Sequence, residues 1–371
     1  MLGSEVAKIR IWPSCYTGGR LFYYLFCDSS GFVLLLFPSK KPSEMDDFRT
    51  PVSVGPEISL THADRIVTFG SCFADLLGNL LAKSGFNVEQ NPFGVLYNPM
   101  SVVKGIECLW YDLPFTEEDL FEYQGYYGSF MHHTSFSGTD RQQVLDNIRH
   151  RARQASRALH EATCLVLTFG TAWVFALAET GRIVANCHKM PDYLFVRRRL
   201  EVAEIVDHYS GFLEQMFEEK PDLKVVMTVS PIRYLKDGAH ENTLSKSVLH
   251  LAVEELGLRF PQISYFPAYE LLLDDLRDYR FYDDDLIHPS SSAVRYIWQQ
   301  FGTFAFDKTT RDIIQQLEQI HKAMEHKPFH PQDEAYLRFA QKNLAAISLL
   351  QHRCPELNLE AETAFFTAIL T

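Results

Sequence analysis

The chain lacks the marks of several protein classes. No apolar run is long enough to cross a bilayer, because the most apolar stretch, residues 21–37, is cut by Asp28-Ser29-Ser30-Gly31. The same break, with no small-residue cleavage site after it, makes residues 1–44 a poor match to a signal peptide. Positive charge is short: 35 Lys and Arg against 47 Asp and Glu give a net charge of −12. That balance argues against a nucleic-acid or anionic-membrane partner, since both need a basic surface. The seven cysteines (15, 27, 72, 108, 164, 187, 354) form no CxxC pair and no zinc-like spacing. An odd, unpatterned set points to reduced thiols in the cytoplasm, not to a disulfide framework. There is no Walker or dinucleotide glycine pattern, no internal repeat and no metal-ligand spacing, so no cofactor and no metal are expected.

What is present reads as an α/β protein. Residues 65–69 are short, apolar and β-branched, as a buried strand is. Phe73, Leu76, Leu77, Leu80 and Leu81 then keep one helix face apolar, and Gly85 ends that helix. Further strands are expected at residues 86–89, 163–169, 224–229 and 263–266. Helices are expected at 99–109, 141–160, 199–218, 242–257 and from Pro289 to about 301. Residues 174–190 read as a β-excursion. Five short apolar strands separated by helices argue for a parallel sheet covered on both faces. In such sheets the site lies beyond the carboxyl ends of the strands. Ser71, Gly170 and Ser230 each follow a strand, and His288 lies after the fifth, so all fall on one edge.

Three regions stand apart. Residues 1–44 do not fit the pattern and are taken as an N-terminal extension outside the fold, with Met45 as the natural start. Residues 110–140 form an aromatic insertion, rich in Phe, Tyr and His, that either lines a binding site or lids the sheet edge. Residues 303–371 read as a helical hairpin. Ile313, Ile314, Leu317, Ile320 and Met324 share one helix face; Leu337, Ala340, Leu344 and Ile347 share another. The hairpin either docks on the α/β body or offers a homodimer surface.

The chemistry converges on Ser71. An apolar strand ends in Gly70, a hydroxyl follows and a helix begins, so unpaired backbone N–H groups surround the hydroxyl. A serine needs a base to take its proton and donors to hold the oxyanion. Asp285-Leu-Ile-His288 offers a base with its orienter attached, since the carboxylate can fix the imidazole tautomer and leave the far nitrogen for Ser71. Asp283 and Asp284 are alternatives with less suitable spacing. Cys72 is the rival nucleophile, but its side chain is expected about 100° away around the helix axis, in the body. His188 with Lys189 either binds an anionic or sugar group or is a structural pair. His132 and His133 either touch substrate or lie on the lid.

Several blocks resemble the GSCFA family: Gly70-Ser71-Cys72-Phe73-Ala74, Asn91-Pro92-Phe93-Gly94 through Tyr97-Asn98-Pro99, Gly170-Thr171-Ala172-Trp173, Asn186-Cys187-His188-Lys189, Ser230-Pro231 and Asp285-Leu-Ile-His288-Pro289-Ser290. The likeness spans residues 45–302, the expected hydrolase domain. That family in turn resembles the SGNH (GDSL-like) hydrolases, flavodoxin-like three-layer α/β esterases. The resemblance implies Ser71 as nucleophile, His288 as base and Asp285 as the third member. It also implies an oxyanion hole from the Ser71 N–H and a glycine N–H, best matched by Gly94. One departure stands out: the third SGNH block carries an Asn, and this chain has Gly170-Thr171-Ala172-Trp173. Either Thr171, by its hydroxyl or N–H, or Asn186 or Asn98 reaching in, replaces that donor, or the enzyme is slow, since losing one costs about 10²–10³ in rate. Asn98, His133, Trp173, Asn186, His188 and Lys189 are the candidate substrate contacts. The expected activity is removal of a small, acetyl-like acyl group from a carbohydrate or related small ester. A catalytically weak glycan-binding or scaffold protein, and an O-acyltransferase with a dry aromatic site built from 110–136, are the alternatives.

Overall fold

The computed structural model describes residues 50–328 and 333–370, together with the backbone of three strands, Arg10–Pro13, Phe22–Phe26 and Val33–Leu36. The chain divides into two compact units, Met1–Pro51 and Val52–Thr371. In the first, the three strands form an antiparallel sheet in chain order. Apart from those strands, the reading of residues 1–44 as an extension, and of Met45 as the start, lies outside the described residues.

The second unit is built on a five-stranded parallel sheet: β1 (Arg65–Gly70), β2 (Asn87–Gln90), β3 (Cys164–Phe169), β4 (Lys224–Val229) and β5 (Ile263–Tyr265). Its order is β5-β4-β3-β1-β2, the flavodoxin-like arrangement. Every pair in it is parallel. Parallel strands are covered on both faces, which is why β1, β3 and β4 are nearly continuous apolar runs. Alternate residues of each strand enter two cores. Val67, Phe69, Leu165, Leu167, Val225 and Met227 pack on one side against α2 (Pro99–Trp110), α3 (Arg141–Glu161), α4 (Val202–Glu219) and α5 (Ala239–Arg259). Ile66, Val166 and Val226 pack on the other, against α1 (Cys72–Lys83) and α6 (Ser291–Ala305). The result is the three-layer fold that the alternation of strand and helix implied.

Some elements differ from the sequence reading. Residues 195–199, of which only Arg199 was expected to be helical, form a strand (Phe195–Arg199). It pairs antiparallel with Trp173–Leu177, whose other edge takes Ile183–Val184. Alternate residues of Trp173–Leu177 are buried, the period-2 signal of a half-covered strand. Pro289 precedes the α6 N-cap, Ser290, instead of lying in the first turn, because the Ser290 hydroxyl already accepts the Ala293 N–H.

The C-terminal region has three helices where a hairpin was expected: α7 (Lys308–Met324), α8 (Glu334–Arg353) and α9 (Glu360–Leu370). They share a core of Ile313, Leu317, Ile320, Ile347, Leu350 and Phe366. The apolar face of α7 is therefore used within the chain. The same helix is tied to the body by the Thr310 hydroxyl, which donates to the Leu60 carbonyl, and by Ile314 in the second sheet core. Between α7 and α8, residues 329–332 lie outside the described residues. Among the described residues no helix is long and apolar enough to cross a membrane.

Candidate active site

Ser71 sits where β1 gives way to α1, as the N-cap. Its backbone is extended, and its Oγ accepts the Phe73 N–H at 3.3 Å, one of the orphan donors of a helix start. Two glycines make the position possible. Gly70 has φ of +138°, and a Cβ there would lie 2.1 Å from the Thr168 carbonyl oxygen. A Cβ on Gly170 would come within 3.3 Å of the Ser71 Cβ and 3.1 Å of the Tyr97 carbonyl. The ends of β1 and β3 can thus approach each other closely under the serine. Asn91 braces the turn: its Oδ1 accepts the Gly70 N–H at 2.8 Å and its Nδ2 donates to Asp75 at 2.5 Å.

His288 is held from the loop after β5. The Asp285 carboxylate takes His288 Nδ1–H at 2.5 Å and the backbone N–H groups of Ile287 and His288, each at 2.9 Å. These donors, led by the His288 backbone N–H, lower the Asp285 pKa to about 2. The carboxylate therefore stays ionised and fixes the imidazole with Nε2 free. Ser71 and His288 both line one cavity of about 580 Å³ at the carboxyl edge of the sheet. Ser71 is almost wholly buried, and the His288 side chain is half exposed. No hydrogen bond joins the two among the described residues. Such catalytic bonds are often long before substrate is bound.

The remaining candidates divide. Asn98, Thr171, Trp173, Asn186 and Lys189 line the same cavity; Gly94, His133 and His188 do not. The His188 Nε2–H donates to the Ser129 carbonyl at 2.9 Å, its ring lies 4.8 Å from that of Phe121, and burial lowers its pKa. It is thus the structural member of the pair with Lys189. The His133 Nδ1 accepts the Ser135 N–H, capping a short turn. The aromatic insertion, expected either to line the site or to lid the sheet edge, contributes no residue to this cavity; its Phe130 carbonyl accepts the Ala185 N–H at 2.8 Å, steadying the segment that carries Asn186. Its residues Leu113, Phe115 and Met131 border a separate cavity of about 460 Å³ against α2.

The oxyanion donors need correction. The Ser71 N–H bonds to the Thr168 carbonyl at 3.1 Å, because the ladder between β1 and β3 runs one residue past the strand end. The Gly94 N–H is consumed by the Asn91 carbonyl at 2.7 Å, in the turn that brings Gly94 against His133. The Thr171 N–H goes to the Tyr97 carbonyl at 3.0 Å. Among the donors that border the cavity, those of Cys72, Asn98 and Thr171 are the candidates. Cys72 N–H is the first of α1 and has no intrahelical partner. Asn98 Nδ2 gives one proton to Ser101 Oγ at 3.0 Å and has a second. Thr171 Oγ1 accepts the Trp173 N–H at 3.1 Å and lies 3.0 Å from Ser245 Oγ, which itself accepts the Ala172 N–H. If Ser245 donates to Thr171, the Thr171 proton is free for the cavity.

Cys72 also borders the cavity, half-buried, where its side chain was expected in the body. Burial raises its thiol pKa, so it is a poorer nucleophile than its position at a helix start implies. Lys246 belongs to none of the sequence motifs that point to the site. This side chain on α5 is wholly buried and donates to the Gly170 carbonyl at 2.7 Å and the Ser230 carbonyl at 2.6 Å, joining the ends of β3 and β4 beneath the cavity. Its signal was a lysine on the face of Leu249, Val253 and Leu256, which is the buried face of the helix. Among the described residues no group of three or more His, Cys, Asp or Glu is placed to hold a metal ion.

This is a flavodoxin-like α/β fold with a serine, a histidine–aspartate pair and a cavity at the carboxyl edge of its sheet. The family model described as the GSCFA family matches residues 65–301, and that of the GSCFA domain protein, C-terminal domain, matches residues 317–371. The chain belongs to the GSCFA family. No curated protein matches it. Among solved structures, one described as "a putative platelet activating factor from Streptococcus pneumonia" is similar at 10% identity and a TM-score of 0.32, over 64% of this chain and 82% of that one.

Proposed function

We propose that the protein is a serine ester hydrolase. The reading rests on one observation: Ser71, at a helix start, and His288, oriented by an ionised Asp285, line a single cavity at the carboxyl edge of the sheet. In this reading His288 Nε2 takes the Ser71 proton as Oγ attacks the ester carbonyl. The tetrahedral oxyanion is held by the Cys72 N–H, the Asn98 amide and the Thr171 hydroxyl. Protonated His288 then gives its proton to the leaving alcohol. Water, activated by the same histidine, frees the acyl group from Ser71. The family's likeness to SGNH esterases supports small acyl groups on a carbohydrate as the substrate class.

A second reading has its own support. The backbone N–H groups of Ser71, Gly94 and Thr171 are all bonded within the chain. A site short of backbone donors suits a glycan-binding protein that has lost its rate. Transfer to an acceptor other than water loses its motive, because the aromatic insertion does not line the cavity.

Turnover of p-nitrophenyl acetate separates the readings. Ser71→Ala and His288→Ala are expected to lower kcat by at least about 10³-fold, and Asp285→Asn by about 10⁴-fold through loss of the correct tautomer. Equal rates in the wild type and all three variants end the hydrolase reading. Binding of an acylated glycan with no release of acid, unchanged in Ser71→Ala, establishes the second.

A further inference from the structure

The walls of the Ser71 cavity carry a charge opposite to that of the whole chain. Lys189, Arg197, Arg233 and Lys236 line it, against one lining carboxylate, Asp192. Arg197 is accounted for. Its guanidinium donates to both oxygens of Asp237, at 2.7 and 2.5 Å, and lies 4.1 Å above the Trp173 ring. This pair joins the excursion carrying Trp173 to the loop after β4 and holds the two walls together. Lys189, Arg233 and Lys236 make no ion pair among the described residues, although acidic residues outnumber basic ones by 47 to 35; the carboxylate that feels the Lys236 charge, Asp237, is already held by both Arg197 nitrogens. Single exposed lysines on a solvated face are ordinary. Three unpaired cations around one cavity that also holds a candidate nucleophile are different, because they repel one another and attract a counter-anion. A guanidinium beside an ammonium suits a group with several anionic oxygens, which can accept from the fork and the point charge together.

We propose that the molecule bound in this cavity carries an anionic oxygen group, of carboxylate, sulfate or phosphate type, held by Arg233 and Lys236 with Lys189 on the opposite wall. In the hydrolase reading, on which only the cleavage part rests, that group belongs to the same molecule as the ester. Trp173, fixed by Arg197, offers its ring as a flat wall beside it.

The test uses the full chain and two matched esters, 4-acetoxybenzoate and 4-acetoxybenzamide, alike in acyl group and size but different in charge. The carboxylate is expected to be favoured about tenfold in kcat/KM, and by a similar factor in binding to Ser71→Ala measured by calorimetry. The preference should shrink toward unity in the double variant Arg233→Gln/Lys236→Gln, and at about 0.5 M salt in the wild type. Equal binding of the two esters to wild type and to Ser71→Ala overturns the proposal, whatever their turnover. A preference that survives in the double variant overturns the assignment to Arg233 and Lys236. Hydrolysis of both esters at equal kcat/KM with equal binding leaves the hydrolase reading standing without the anion. Tighter binding of the carboxylate with neither ester cleaved does the reverse.

Discussion

Lys246 shows most clearly what a single side chain does beneath this site. Burial lowers its pKa from 10.5 to about 7. The neutral amine keeps two protons, enough for the Gly170 and Ser230 carbonyls. Between pH 7 and 10.5 the unfolded chain holds a proton that the folded chain has released, so stability should rise with pH across this window. Below pH 7 both states are charged, and folding carries the whole cost of burying the ammonium. Urea unfolding of wild type and Lys246→Met from pH 6.5 to 10 checks this: the wild type should gain on the variant as pH rises, and a constant difference refutes it. The Asp285–His288 pair was legible from spacing alone, because three residues in a turn place carboxylate and imidazole side by side. The fate of the Ser71 N–H was not, because the Thr168 carbonyl that takes it lies 97 residues away.

At the scale of elements, the aromatic insertion matters through packing. His132 is buried between Phe93 and Phe115, with ring centroids 4.6 and 5.2 Å away. Among the described residues its Nδ1 has no hydrogen-bond partner. Burial lowers its pKa to about 3. Between pH 6.5 and 3 the unfolded chain takes up a proton that the folded chain refuses, so this group withdraws stability as pH falls through that range. His132→Phe, which keeps the stacking, should flatten the acid side of a stability curve; a thermal melt series from pH 7 to 4 measures it, and identical slopes for the two proteins count against the assignment. The sequence marked these residues as aromatic and unusual, yet aromatic content does not say which face of an insertion meets solvent, core or cavity. That choice is made by contacts such as the Phe130 carbonyl with Ala185, which join segments 55 residues apart.

For the molecule as a whole, the C-terminal helices are part of the second compact unit. Phe366 on α9 is fully buried and faces Phe339 of α8 at 6.2 Å. Phe366→Ala should cost about 3–5 kcal/mol in urea unfolding. A loss well below 1 kcal/mol would mean that α9 is not held as described. The hairpin reading fell one helix short because residues 360–370 carry a weak apolar stripe whose anchor, Phe366, is recognisable only once α7 and α8 supply a groove. The sequence by itself determined the parallel sheet, its carboxyl-edge loops and the serine, aspartate and histidine placed on them. Those features rest on local periodicity, on turn chemistry and on the rule that covered parallel strands are apolar throughout. Only the tertiary structure decided which donors remain free around Ser71, which cations have no partner and which cavity the insertion borders. Each of these depends on hydrogen bonds and charges between segments far apart in the chain, and no local pattern records whether a given N–H or ammonium has already found its acceptor. In the stretch around Ser71 the sequence located the candidate nucleophile, and the fold decided which donors around it are already bonded within the chain.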